Sequence, residues 1–403
     1  MKNLIFFLSI FIFGFISCNK NSGYEIDFTC SDNEQVCDLA QSNNDFGLDI
    51  FKALHKKHLK DNLFISPFSI SAALSMTVNG AKGDTYEEMI KTLKYNGWNL
   101  DELNNAYKAY LDIVPYLDNK VKMSIANSIW YRNGFDVLPE FIDVNKKYYN
   151  SEVYGRDFSK PGTKDEINGW VEDRTEGKIK DIIEQIDPST VMFLINAIYF
   201  KGDWRFEFDK KDTKKSNFYL ENGTTVSTDM MNAELTIPYY ETQGLKMIDL
   251  PYGDSIYSMT IILPKANNTV DKIINNMDIV DYNNYIQNMY PSKMEVQMPK
   301  FKIEFKEYLK EILIGMGMEK AFSQQADFSG INGTGGLFID DVIHQSFVEV
   351  DEKGTEAAAA TVVIINESAA GNFFFANKPF VFVIRDNRTN SILFIGKMMN
   401  PTS

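Results

Sequence analysis

The hydrophobic positions change period along the chain, and the change separates two kinds of element. From about Asp45, the residues Phe46, Ile50, Phe51, Leu54 and His58 recur at helical spacing, which predicts an amphipathic first helix. An apolar stretch from Ser69 through Val78 predicts a second, stopped at Asn79-Gly80, residue types that suit a helix C-terminus. Further helical patterns cover Thr85 to Leu93, Leu100 to Tyr116 and Lys164 to Thr175. Runs rich in β-branched and aromatic residues predict strands at Val121 to Tyr131, Val191 to Phe200, Ser258 to Leu263, Met294 to Phe305, Phe373 to Phe375 and Phe380 to Ile384. Helices dominate the first part and strands the second, which reads as an α+β fold with large sheets. No period of about 20 to 50 residues suggests a repeat. No Pro/Gly/Ser-rich linker interrupts residues 45 to 401, so one large domain is preferred over two.

Composition narrows the partners. The chain has 403 residues, 44% hydrophobic and 24% charged, enough to bury a large core. Its formal charge of −14, with no clustered Lys/Arg run, argues against nucleic acid, an anionic membrane surface or a heparin-type polyanion. There are three histidines, His55, His58 and His344. His55 and His58 sit at i and i+3 with no Cys or third His to complete a metal set, and flanking lysines favour a solvated helix face. No nucleophile elbow, zinc-protease motif, phosphate loop or dinucleotide fingerprint occurs, and Asn332-Gly333-Thr334-Gly335-Gly336 reads as a turn. No metal, cofactor or catalytic set is expected, so the chain does not read as an enzyme.

The N-terminus carries Lys2, an apolar stretch from Leu4 to Ile16, and then Ser17-Cys18. That stretch is short for a membrane span and reads as a secretory signal over residues 1–17. Phe15-Ile16-Ser17-Cys18 resembles the bacterial lipobox, with Phe15 departing from the usual Leu. It implies lipidation at Cys18 and a lipid anchor in the bacterial cell envelope, on the periplasmic or cell-surface side; the alternative is plain secretion with cleavage nearby. Residues 18–44 read as a polar tether, and Cys30 and Cys37 within it either pair locally or stay free.

The least ordinary segment runs from Glu352 to Gly371. On propensity alone its Ala run reads equally as a helix followed by a strand. With period 2, however, Thr355, Ala357, Ala359, Thr361, Val363 and Ile365 share one face, all small or apolar and uncharged. Such a segment can enter a sheet as a new strand without placing a charge in the core.

Here the chain resembles the serpins, from about Asp45 to Pro401. The hinge of that family is matched by Glu352, Gly354, Thr355, Glu356, Ala357, Ala358, Ala359, Ala360 and Thr361. Its second helix is matched by Asn62 to Ser71 with Gly80 to Thr85, and a characteristic strand end by Asn196 to Trp204. Pro299-Lys300-Phe301, Gly317-Met318, Asp327-Phe328-Ser329, His344 and Pro379-Phe380-Val381-Phe382 follow in the right order.

The resemblance implies a fold of helices packed around large mixed and antiparallel sheets with an exposed reactive-centre loop, filling residues 45–403. It implies a monomeric suicide-substrate inhibitor that forms a covalent complex with a target endopeptidase. Ser66, Ser69, Asn196 and His344 correspond to the polar shutter cluster, and Trp204 to the breach tryptophan or, equally, a core aromatic; Trp130 and Trp170 read as core. Family spacing counted from Glu352 and from Pro379 reaches the same bond, Ser368-Ala369, while cuts after Glu367, Ile365 or Ala369 are alternatives. Small residues there suit elastase-like or subtilisin-like peptidases, Glu367 a glutamyl endopeptidase, and cysteine peptidases are further targets. The rival reading is a non-inhibitory serpin acting as carrier or chaperone.

Overall fold

In a computed structural model, which describes residues 33–355 and 372–402, ten α-helices follow in chain order: α1 (Glu34–Lys57), α2 (Pro67–Val78), α3 (Gly83–Thr92), α4 (Leu100–Ile113), α5 (Pro139–Tyr149), α6 (Pro161–Arg174), α7 (Val270–Asn276), α8 (Ile279–Gln287), α9 (Lys310–Gly315) and α10 (Ser329–Asn332). The strands are β1 (Leu63–Ile65), β2 (Val121–Arg132), β3 (Ser151–Arg156), β4 (Met192–Asp203), β5 (Lys214–Tyr219), β6 (Thr225–Glu241), β7 (Leu245–Pro251), β8 (Tyr257–Pro264), β9 (Tyr290–Pro299), β10 (Phe301–Tyr308), β11 (Ile343–Asp351), β12 (Gly354–Thr355), β13 (Asn372–Phe375), β14 (Phe380–Asp386) and β15 (Ser391–Met398). The α+β expectation holds, and each predicted helix and strand has its counterpart.

One sheet runs β1-β15-β14-β8-β7-β6-β9-β13, with β5 on β6; the other runs β10-β11-β12-β4-β2-β3. The predicted single strand from Met294 to Phe305 is in fact two, one in each sheet. Lys300 stands between them, and its backbone N–H is taken by Asp229 (2.9 Å). Helix α2 lies between the sheets, packed on β4 of one and β15 of the other. Side chains alternate across β4, so Ile198 and Phe200 enter the main core. Ile195 and Ala197 join a smaller cluster with Trp130, Trp170 and Ile167 of α6.

Two expectations are corrected. Helix α1 begins at Glu34, capped by the Asn33 side chain, and so takes in residues 34–44 that polarity assigns to the tether. Its inward face there is polar but bonded: Asn44 donates to the Asn390 carbonyl (2.7 Å) and accepts from the Ile392 N–H (2.7 Å). That bonding hides the helical period. Cys37 therefore sits on a helix of the folded body, where it is disulfide-bonded. His55 and His58 are not a solvated face. His55 is buried between Asp271 (3.1 Å) and Lys397 (2.9 Å), and His58 meets Glu307 (2.6 Å).

Candidate functional site

The local sequence Asp351-Glu352-Lys353-Gly354-Thr355 turns the chain from β11 into the two-residue strand β12, which is wedged between β11 and β4. Only glycine fits at 354, because a Cβ there would lie 2.0 Å from the Gly202 carbonyl oxygen. The buried Glu352 carboxylate accepts from Thr213 (2.9 Å) and pairs with Lys300 (2.8 Å). Burial alone raises its pKa, but hydrogen bonds from Lys300 and Thr213, with the Lys300 charge, hold it below the usual carboxylate range. Trp204 is fixed at the same place: its indole N–H donates to the Asp351 carbonyl (3.0 Å), its backbone N–H donates to the Lys353 carbonyl (2.5 Å), and its ring stacks on Tyr252 at 4.4 Å. Tyr252 in turn bonds the buried Thr355 hydroxyl (2.7 Å). The first uncharged residue of the period-2 face thus already points into the core.

Below this wedge the two flanking strands change character. Among the described residues, β4 and β11 share no backbone pair, although each is fully paired on its far side, β4 with β2 and β11 with β10. They border a slot. Its outer side is spanned by the segment from α6 to β4, through Lys178 to Glu349 (3.6 Å) and Lys306 to Glu184 (2.8 Å). Partly exposed pairs of this kind contribute about 0 to 1 kcal/mol each, and the same segment is held chiefly by Ile179, Ile182 and Ile183, buried in one cluster with Ile195 and Ala197 of β4.

Beneath the slot the structure brings together Ser66 and Ser69 of the α2 N-terminus, Asn196 of β4 and His344 of β11. Ser66 caps α2 by accepting from the Ser69 N–H (3.1 Å), donates its hydroxyl to the Leu393 carbonyl (2.7 Å), and offers its backbone N–H to His344 Nε2 (3.2 Å). The Ser69 hydroxyl bonds Asn196 Oδ1, and the Asn196 amide donates to Asn127 (2.6 Å). Because His344 Nε2 accepts, its ring is neutral, and burial pushes its pKa down to about 4. Lower still, a cavity of about 510 Å³ opens, lined in part by Leu74, Thr77, Leu194, Leu337 and Val342.

Trp204 lies apart from that cluster, at the head of the slot. Sequence reasoning missed Asn127, Tyr252 and Ser346, whose hydroxyl reaches the Phe64 carbonyl (2.6 Å). A polar residue inside an apolar strand run was the signal available for Asn127. Cys18, Cys30, Glu356 to Thr361, Ile365, Glu367, Ser368 and Ala369 lie outside the described residues.

Residues 41–401 match the family model described as serpin (serine protease inhibitor). The chain is 37% identical to Iripin-8 of Ixodes ricinus, covering 89% of this chain and 93% of that one. It is 35% identical to a leukocyte elastase inhibitor of Xenopus laevis, over 90% and 99%. The crystal structure of the thermophilic serpin tengpin in its native state is similar at a TM-score of 0.82 and 32% identity, covering 93% of this chain and 96% of that one. The wedge, the slot and the matched residues agree with these likenesses, and the chain is a member of the serpin family.

Proposed function

We propose that this serpin is a suicide-substrate inhibitor of serine endopeptidases, and one observation carries the reading. Thr355 pairs with Gly202 on one side and Val350 on the other. Continuing that antiparallel register down both strands sets Ala357 beside Phe200 and Val348, Ala359 beside Ile198 and Ser346, and Thr361 beside both Asn196 and His344. Val363 then meets Leu194 and Val342 at the cavity. Each alanine falls beside a bulky residue of β4, Phe200 or Ile198, the hydroxyl falls among the polar groups, and the branched residue falls where there is space.

In this mechanism the target's serine attacks the Ser368 carbonyl, the Ala369 amine leaves, and an ester links peptidase to inhibitor. The segment from Thr355 onward then fills the slot. Fifteen residues, Gly354 to Ser368, at about 3.3 Å each carry the tethered peptidase roughly 50 Å and distort it before water cleaves the ester. Ser368 and Ala369 suit a shallow, uncharged pocket, in keeping with the elastase inhibitor among the relatives; cuts after Glu367 or Ile365 would select other enzymes. Export with a lipid anchor at Cys18 fits the apolar leader, and the disulfide at Cys37 fits an oxidising compartment.

The test pairs mass spectrometry of the fragment released by a panel of peptidases with gels for covalent complexes. A fragment beginning at Ala369 and a detergent-stable complex are expected, and Ser368→Arg shifts inhibition to trypsin-like enzymes. Cleavage without a complex, and without a large gain in heat stability of the cleaved protein, would favour a carrier or chaperone.

A further inference from the structure

Strand β13 ends the larger sheet, pairs only with β9 among the described residues, and begins one residue beyond the loop segment. Its alternation is unusual for an exposed edge: Phe374 is fully buried, while Phe373 and Phe375 stand 49% and 36% exposed on the outer face, their rings 5.4 Å apart. Together the two rings form a small apolar patch, held in one orientation by the strand. In the register, Phe373 lies opposite Glu295 of β9, and Glu295 lies opposite Glu234 of β6. Two carboxylates directly across a ladder repel. Lys293 pairs with Glu234, whereas Glu295 is met by the Asn232 amide (3.2 Å). The outer face is therefore an aromatic pair with the Glu295 carboxylate on the β9 side, while the Lys246 ammonium reaches the Phe373 carbonyl (3.4 Å).

Its position limits what can cover it. Phe373 is five residues past Ser368, an extended reach of at most about 18 Å. A partner seated on that bond with a footprint of about 800 Å² covers a disc of roughly 16 Å radius, close to that upper limit, so this face lies at the border of such a footprint. Pairing with β9 and the buried Phe374 hold the two rings in place.

We propose that the face formed by Phe373, Phe375 and Glu295 is a second docking surface for the target peptidase, engaging an apolar, basic rim on the leaving-group side of its cleft. This rests on the reading of Ser368-Ala369 as the attacked bond. The surface acts before the bond is cut, so it governs association and leaves the later race between insertion and hydrolysis unchanged.

The experiment measures two quantities for the intact chain, Phe373→Ser/Phe375→Ser and Glu295→Lys: the rate at which the peptidase that cuts the loop does so, and the number of inhibitor molecules consumed per peptidase trapped. The aromatic variant is expected to slow cleavage about tenfold, and the charge reversal severalfold with a weaker salt dependence, both at unchanged stoichiometry. Unmoved thermal unfolding keeps these effects separate from folding. Unchanged cleavage rates in folded variants overturn the proposal. Unchanged rates with a loss of self-association assign the face to a second copy, and a raised stoichiometry assigns it to insertion. If the wild type is cut but traps nothing, the inhibitor reading fails, while the cleavage rates still decide the docking surface.

Discussion

The two edges of β4 are unlike. Toward β2 it is bonded from Val121 opposite Gly202 to Tyr131 opposite Met192. Toward β11 it is bridged only at its head by Gly354 and Thr355, among the described residues, and supported from below by Ser69 on Asn196. One edge is ordinary sheet, fixed by ladder bonds worth about 0.5 to 1.5 kcal/mol each. The other has its neighbours in place and its ladder unmade, which is where a further strand can add bonds and burial. The difference teaches where a further strand has bonds left to make, and on the proposed mechanism the polar cluster under that line is the group such a strand must pass.

The largest effect expected on this contrast comes from Ala357→Asp. It would carry a carboxylate between Phe200 and Val348 on insertion, at a cost of several kcal/mol. Covalent complex should fall more than tenfold while loop cleavage continues; full complex yield in a gel assay would falsify the insertion register. Acid acts next, on the cluster itself. His344 titrates at about 4 in the fold against about 6.5 when unfolded, so the unfolded chain takes the proton first. Stability should therefore decline as pH falls from 6.5 toward 4, by about 3 kcal/mol from this group. Denaturant titrations of wild type and His344→Gln check this, since the difference between them should vanish in slope above pH 7.

Asn196→Ala removes the link from Ser69 to Asn127 and should cost about 1 to 3 kcal/mol. It should also hasten spontaneous conversion of the uncut protein to a heat-stable form, measured as lost inhibitory activity on storage. The smallest effect is at the head of the slot. Trp204→Phe keeps the stack on Tyr252 but loses the bond to the Asp351 carbonyl, about 1 kcal/mol, with inhibition largely retained. A large loss of inhibition from this one change would mean that the head, rather than the cluster beneath, controls entry.

Much of this was legible in the chain. Amphipathic periods located α1 through α4 and β-branched runs located β2 and β4, because side-chain periodicity is local, while of the period-2 face Thr355 alone lies within the described residues. The resemblance named Ser66, Ser69, Asn196, Trp204 and His344. Other features depend on packing between distant segments. The long strand β6 and the shorter β7 carry mixed polar and apolar residues, and β15 is interrupted by Gly396 and Lys397, so none announces itself by pattern. The start of α1 was hidden because Asn43 and Asn44 are buried by hydrogen bonds, which composition reads as exposure.

The sequence by itself determined the α+β class, the family and the uncharged face of the loop, since these are written in spacing and residue type. Only the tertiary structure decided that β4 and β11 leave their facing edges unpaired among the described residues, and that Asn196 and His344 stand on those two strands above Ser66 and Ser69. It also decided that Phe373 and Phe375 face outward. These facts depend on which strands become neighbours and in what register, and pairings over more than a hundred residues of chain leave no local trace.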